Sequence, residues 1–203
     1  MTPMRIARLE RSERSTVVTV VARAFWHDPL YNFFMPDLLR QHRLAPAFFA
    51  RNIDDCAKWG EVHVAHLDGA IAGTAAWLPP GVTVPSASLH ALLGNAQLLR
   101  VLAVAVNRRR ATALLRELPR RQLPVDHWFL SILATDPRMQ GQGVGSALLE
   151  PVLARADDSS TPVFLRTQRE SNLVCYARFG FGVTEVNDLP DSPNVWTLTR
   201  LPR

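Results

Sequence analysis

The chain carries the sequence Asp136-Pro137-Arg138-Met139-Gln140-Gly141-Gln142-Gly143-Val144-Gly145-Ser146-Ala147-Leu148-Leu149 at a junction between two hydrophobic patterns. Before it, residues 128–134 (WFLSILA) form an almost unbroken apolar run, which is typical of a strand buried on both faces. After it, apolar residues recur at helical spacing over 144–153. The patterns predict a buried strand, a glycine-rich turn and the start of a helix.

Such a turn presents unpaired backbone N–H groups and the positive end of the helix dipole to an anion. Gly141, Gly143 and Gly145 lack a Cβ, so a phosphate can approach the backbone closely. A Walker A loop is excluded because no lysine follows the glycines, and the G-x-G-x-G spacing misses the dinucleotide fingerprint. A glycine-rich turn without a ligand remains the alternative for this loop taken alone.

Gln140, Gly143 and Gly145 fit the pattern Gln/Arg-x-x-Gly-x-Gly/Ala, preceded by a strand and Asp-Pro. This pattern resembles the pyrophosphate loop of the GCN5-related N-acetyltransferases (GNAT), which bind acetyl-CoA. The segment from Asn172 to Phe181 resembles the Asn-x3-Tyr-x3-Gly-Phe segment that follows in the same superfamily. The whole chain resembles more loosely the puromycin N-acetyltransferase branch, through Ala24-Phe25, Asp28-Pro29, Pro36-Asp37, Trp128-Phe129-Leu130 and Trp196-x-Leu-Thr-Arg200.

The fold class predicted is a mixed α/β sheet of about seven strands flanked by helices, in a single domain of residues 1–203. Strands are predicted at 4–9, 61–67, 70–78, 127–135, 162–167, 181–186 and 195–200. The resemblance implies a GNAT fold, in which the fourth and fifth strands splay apart after a bulge. Residues 81–126 are predicted to be a helical insertion between the third and fourth strands. Three roles are open for it: it covers the sheet, it lines an acceptor pocket, or it joins a second subunit in a homodimer.

The resemblance also implies the residues that bind acetyl-CoA. The backbone of Leu133 and Thr135 would meet the pantetheine arm, and the Leu133 N–H would stabilise the thioester oxyanion. Asn172 would contact the CoA, and Tyr176 would protonate the departing thiolate. The variable loop positions are commonly basic in the family but are Gly141 and Gln142 here. The pyrophosphate would contact Arg138, Gln140, Gly141, Gln142, Gly143, Val144, Gly145 and Ser146.

The acceptor site is predicted between residues 25–36, the 81–126 insertion and the central strand. A compact, partly aromatic primary amine would attack acetyl-CoA directly, and Asp28 would attract its ammonium group or would simply cap a turn before Pro29. Candidate general bases are Asp28, Glu170 and His127. The candidate acceptor-binding residues are Trp26, Asp28, Tyr31, Trp77 and Trp128.

Composition narrows the function classes. The net charge is +5, but the basic residues are scattered apart from a cluster at 108–121, so nucleic-acid binding is not predicted. Cys56 and Cys175 suit a reducing cytoplasm, no cluster has metal-ligand spacing, and no signal peptide or membrane span is predicted. Three functions stay open: acetylation of a small-molecule amine, as in antibiotic modification; acetylation of a protein N-terminus or lysine; or CoA binding with little catalysis.

Overall fold

The structure is a computed structural model that describes residues 3–82, 126–187 and 192–203. The predicted insertion at 81–126 therefore lies almost entirely outside the described residues, as do residues 188–191 of the turn between the last two strands.

In the described residues, seven strands form one mixed sheet in the order β1-β2-β3-β4-β5-β7-β6. Among these described strands, β4 and β5 are the only neighbours that pair in parallel, and every other pair of neighbouring strands is antiparallel. The predicted fold class and all seven strands are confirmed to within one or two residues. The strands are β1 (Arg5–Arg8), β2 (Glu61–Leu67), β3 (Ala70–Leu78), β4 (Trp128–Thr135), β5 (Val163–Thr167), β6 (Gly182–Val186) and β7 (Trp196–Arg200).

The described helices cover the two faces of the sheet. One core layer joins the first three helices to β2, β3 and β4, and the other joins the fourth and fifth helices to the opposite face. No helix in the described ranges is long and apolar enough to cross a bilayer. The helices are α1 (Arg14–Ala24), α2 (Pro29–Phe34), α3 (Leu38–Trp59), α4 (Val144–Asp158) and α5 (Ser171–Ala177).

The hairpin between β2 and β3 forms at Asp68 and Gly69, which the sequence predicted. Both residues have positive φ angles, 50° for Asp68 and 77° for Gly69, as a two-residue turn of matching twist requires. The hairpin sets the register that brings β3 against β4, and β4 leads into the glycine-rich loop.

A buried carboxylate ties the start of β2 to α4. Glu61 is 4% exposed and accepts a hydrogen bond of 3.2 Å from Arg155 Nη1, while Arg8 and His63 also lie against it. Burial alone would raise the pKa of Glu61, but the nearby His63 ring and the Arg155 guanidinium lower it to about 2. The carboxylate is therefore ionised in the folded protein well below the pH at which it protonates in the unfolded chain.

Because the folded pKa lies below the unfolded one, Glu61 stabilises the protein above about pH 4.5 and progressively less as pH falls toward 2. We expect a contribution of about 1–3 kcal/mol at neutral pH, since the arginine partners are partly exposed. Thermal unfolding of Glu61→Gln should show a smaller loss of Tm between pH 6 and pH 3 than the native chain. Glu150→Gln, an exposed change on α4, serves as the control. Equal losses in native chain and Glu61→Gln would contradict the prediction.

Candidate active site

Strand β4 changes the direction of its hydrogen bonds part-way along its length. The Trp128 N–H donates to the Pro162 carbonyl at 3.0 Å, on the β5 side, whereas the Asp136 N–H donates to the Ala72 carbonyl at 2.8 Å, on the β3 side. In a regular strand these two residues, an even number of positions apart, would face the same neighbour. The difference arises because the register with β3 shifts, which leaves Ser131 as an extra residue in a β-bulge.

After the bulge, the alternation places Ile132 and Ala134 in the hydrogen-bonded pairs with β3. The N–H groups of Leu133 and Thr135 therefore point toward β5. Strand β5, however, pairs with β4 only as far as Leu130, and no described strand pairs with β4 on that side beyond it. We call the space between β4 residues 131–135 and the end of β5 the central gap. The splay that the sequence resemblance implied is confirmed.

The central gap leads to the glycine-rich loop, because the loop follows β4 directly. Gly141 and Gly143 have φ angles of 78° and 79°, in the left-handed region where a Cβ is strained. Gly143 is the N-cap of α4 and offers no side chain, so the first N–H groups of the helix have no cap. A Cβ on Gly145 would lie 3.9 Å from the Leu133 side chain, so the first turn of α4 adjoins the gap.

Two arginines lie beside this loop, held by one buried carboxylate. Asp136, which is 4% exposed, accepts from the Arg138 N–H at 3.0 Å and contacts the Arg138 and Arg23 guanidinium groups, each at 3.3 Å. Burial raises the pKa of Asp136, but the hydrogen bonds from Arg138 and Arg23 bring it below its ordinary value. Arg23, at the end of α1, was not predicted, because only the fold brings α1 to the loop.

Helix α5 lies beyond the end of β5, on the other side of the gap from Leu133. Tyr176 is 8% exposed and belongs to the same apolar cluster as Leu133, with its ring 5.7 Å from that of Phe181. Burial raises the pKa of the Tyr176 phenol, which therefore keeps its proton throughout the neutral range. Asn172 Nδ2 donates to Thr167 Oγ1 at 3.0 Å, which fixes α5 to the last residue of β5.

The predicted acceptor residue Asp28 caps α2. Its Oδ1 accepts from the N–H groups of Leu30 and Tyr31 at 3.0 and 3.1 Å, so Asp28 caps this helix whether or not it also attracts an ammonium group. Burial raises the pKa of Asp28, and the Tyr31 N–H and the charge of Arg169 offset part of this rise. Since Arg169 follows β5, the turn before α2 faces the β5–α5 loop, and Glu170 lies in the same loop.

The other acceptor candidates are divided between the two faces of the sheet. Tyr31 is buried on the α3 side, near Phe48 and Phe49, and Trp26 packs edge-on against His42, 5.5 Å away. Trp77 is fully buried in the core on the α4 side, and Trp128 packs there under the Arg155 guanidinium. Trp77 and Trp128 therefore belong to a different core layer from Tyr31, on the opposite face of the sheet.

His127 lies at the start of β4, with its ring 5.2 Å from that of Phe164. At about 3.3 Å per residue, a thioester at the Leu133 N–H would be about 20 Å away. With the thioester there, as the resemblance implies, His127 would lie beyond the reach of direct proton transfer, which requires hydrogen-bond distance or one intervening water. Among the described residues, no group of three or more His, Cys, Asp or Glu side chains is placed to hold a metal ion.

A sequence profile of the Acetyltransferase (GNAT) family matches residues 27–181. Among solved structures, one described as histone acetyltransferase HPA2 and related acetyltransferase from Corynebacterium glutamicum is 22% identical, with a TM-score of 0.75 over 100% of this chain and 98% of that one. Arylalkylamine N-acetyltransferase 2 from Aedes aegypti is 14% identical, with a TM-score of 0.68 over 100% of both chains.

PaiA N-acetyltransferase from Thermoplasma acidophilum, solved in complex with coenzyme A, is 10% identical, with a TM-score of 0.58 over 98% of this chain and 99% of that one. These likenesses agree with the splayed mixed sheet, and the profile spans the loop, the central gap and α5. The chain belongs to the GNAT family of acetyltransferases, acyltransferases that use acetyl-CoA as the acetyl donor.

Proposed function

We propose that this protein transfers the acetyl group of acetyl-CoA directly to the primary amine of a compact small molecule, in the manner of an aminonucleoside-modifying enzyme. The observation that carries the acetyl-CoA part of the proposal is the central gap, where the N–H groups of Leu133 and Thr135 face the gap next to a helix N-terminus without a side-chain cap. The small-molecule acceptor rests on the resemblance to the puromycin N-acetyltransferase branch. An extended amide chain such as pantetheine can pair with such an edge as an added strand. A pyrophosphate can bind at the helix N-terminus.

The pyrophosphate would be bound by backbone N–H groups of the loop and the first turn of α4. Gly141 and Gly143 are exposed there, and the first turn of α4 contains no acidic residue. Arg138 and Arg23 together carry two positive charges against the single charge of Asp136, so the loop entrance has a net positive charge. These arginines would replace the basic residues that the loop itself lacks. The whole proposed set is Arg138, Gln140, Gly141, Gln142, Gly143, Val144, Gly145 and Ser146, with Asn172 contacting CoA from α5.

In the proposed reaction the amine nitrogen attacks the thioester carbonyl carbon, and the carbon–sulfur bond breaks as the amide forms. The Leu133 N–H would donate to the oxyanion of the tetrahedral intermediate. The Tyr176 phenol would give its proton to the departing thiolate, and the raised pKa keeps that proton in place until the transfer. Glu170, in the loop after β5, remains the proposed acceptor of the ammonium proton, directly or through water.

An amine-panel assay tests the proposal. The purified protein is given acetyl-CoA and, separately, aminonucleosides, arylalkylamines, and peptides with free N-termini or lysines, and thiol release is followed together with the mass of the acetylated product. We expect turnover with small aromatic amines. Turnover with peptides alone would contradict the small-molecule assignment, and CoA binding without turnover on any amine would indicate a binding module.

Asp28 allows a test of how the acceptor ammonium is recruited. Asparagine can accept the same backbone hydrogen bonds at the start of α2 but carries no charge. Asp28→Asn should therefore raise KM for the amine by roughly tenfold or more while KM for acetyl-CoA stays within about twofold. Steady-state kinetics with each substrate varied in turn measures both constants.

The matched control is Asp37→Asn. Asp37 caps α3 with the same geometry, accepting from the N–H groups of Leu39 and Arg40 at 3.0 and 3.1 Å, but it is exposed and belongs to another helix. It should leave both constants unchanged. An unchanged amine KM in Asp28→Asn would mean that Asp28 only caps α2.

A further inference from the structure

The bulge residue Ser131 is tied to helix α3 by its side chain. Its hydroxyl donates to Asn52 Oδ1 at 3.0 Å, and the Cys56 thiol donates to the same oxygen at 3.6 Å. Burial raises the pKa of the Cys56 thiol to about 12, so the sulfur remains a neutral donor at neutral pH. Helix α3 thus makes a long-range polar contact with the residue that interrupts the β3–β4 ladder.

The bulge sets the direction of the Leu133 N–H. Before Ser131 the register pairs Trp77 with Leu130, and a strand that continued in that register would place Leu133 opposite Thr74. Ala134 holds that position, in a hydrogen-bonded pair with β3. Without the extra residue, the Leu133 N–H would be bonded to β3 instead of pointing into the central gap.

The apolar side chains beside the bulge constrain it only in part. Leu130 is buried on the α4 side, and Ile132 is buried on the α3 side. In a regular strand, residues two positions apart point to the same face, but Leu130 and Ile132 point to opposite faces. The side chain of the residue between them must therefore turn to one face or the other. The hydrogen bond to Asn52 turns Ser131 toward α3, where it and Ile132 face the same layer.

We propose that Asn52 is a positioning residue of this enzyme: by holding Ser131 against α3, it fixes the bulge and keeps the Leu133 N–H directed into the central gap. The inference rests on the proposed function, in which that N–H stabilises the oxyanion. It assigns a part in acetyl transfer to a residue of α3 through its contact with Ser131. Asn52 acts through Ser131 and the backbone of β4.

Kinetics of Asn52→Ala and Ser131→Ala tests the inference. A misplaced oxyanion donor should lower kcat by roughly 10- to 100-fold, while KM for the amine and the Kd of acetyl-CoA stay within about twofold. Ser131→Thr keeps the hydroxyl and should retain most of the native kcat. Ile53→Val, a buried change at the next position of α3, controls for loss of stability and should leave kcat within about twofold.

Hydrogen exchange of the ligand-free protein gives a readout that does not depend on activity. In the native protein the Ala134 amide should be protected, whereas the Leu133 and Thr135 amides should exchange fast, because no strand in the described ranges pairs with them. Asn52→Ala and Ser131→Ala should reduce or reverse this alternation, and Ile53→Val should keep it.

The outcomes separate the inference from the proposed function. If the native protein acetylates no amine, the proposed function fails, and the exchange pattern still decides whether Asn52 holds the bulge. If the native protein is active but kcat or the exchange pattern is unchanged in both alanine variants, the inference is overturned. A raised amine KM at native kcat in Asn52→Ala would also overturn it, since Asn52 would then contact the acceptor.

Discussion

Replacing Tyr176 by phenylalanine is expected to lower kcat by roughly 10²–10⁴-fold, which is the range for loss of a general acid. The phenol is 8% exposed and lies in the cluster that includes Leu133, and burial raises its pKa, so it is protonated at neutral pH. Phenylalanine fills nearly the same volume, so the core should be kept. The Kd of CoA, measured by calorimetry, should stay nearly native, because in the proposed reaction the proton is needed only as the thiolate departs.

Phe181→Leu is the matched control for this experiment, because Phe181 contacts the Tyr176 ring and takes no part in the proposed chemistry. Its Tm should fall while kcat stays near native. The raised pKa of Tyr176 also predicts that the native kcat does not decline as pH rises from 7 to 9 through loss of this proton. An unchanged kcat in Tyr176→Phe would assign Tyr176 to packing, and a parallel loss of CoA affinity would assign it mainly to binding.

Gly143→Asp is expected to weaken CoA binding by roughly 10²–10³-fold. Two like charges about 4 Å apart near a protein surface repel by about 4 kcal/mol, and the new carboxylate would stand beside the pyrophosphate. Space is not the obstacle, since a Cβ on Gly143 would meet no atom within 4 Å. The backbone φ of 79° is a second cost, but aspartate is among the residues that tolerate this conformation best.

Gly143→Asn separates the charge from the backbone cost, because asparagine has the same shape and tolerates the same φ. Its CoA affinity should lie between those of the native chain and the aspartate variant. Calorimetry in 0.05 and 0.5 M salt should show the gap between the two variants narrowing at high salt, as screening requires. Equal affinities for asparagine and aspartate would mean that no phosphate binds near Gly143.

Local patterns predicted much of the fold from the sequence. The Asp68-Gly69 turn, the apolar run before the loop and the glycines at positive φ each depend on residues close together in the chain. For the same reason the loop and α5 segments could be recognised before the structure was known. The relative position of the loop and α5 in space was predicted only from the family resemblance, because neither local sequence indicates that β4 and β5 splay apart.

Long-range contacts account for what the sequence did not predict. Ser131 appears as one polar residue in an apolar run, and nothing nearby indicates that Asn52 holds it or that a bulge forms there. Trp77 was placed among the acceptor-binding candidates because aromatic residues occur both in pockets and in cores. Its environment depends on the face of the sheet toward which its side chain points, which the sequence alone does not show. Arg23 was missed because its partner Asp136 is distant in the chain.

The order β5-β7-β6 has a consequence for how the protein is made on the ribosome. Strand β6 pairs only with β7 among the described strands, although it is synthesised first, and β7 must enter between β5 and β6. Arg200 of β7 then bonds to Asp157 of α4 and to the Phe179 carbonyl after α5. We therefore expect α5, with Tyr176, to dock only after β7 has emerged, so that a nascent chain acquires catalytic competence as its last strand is added.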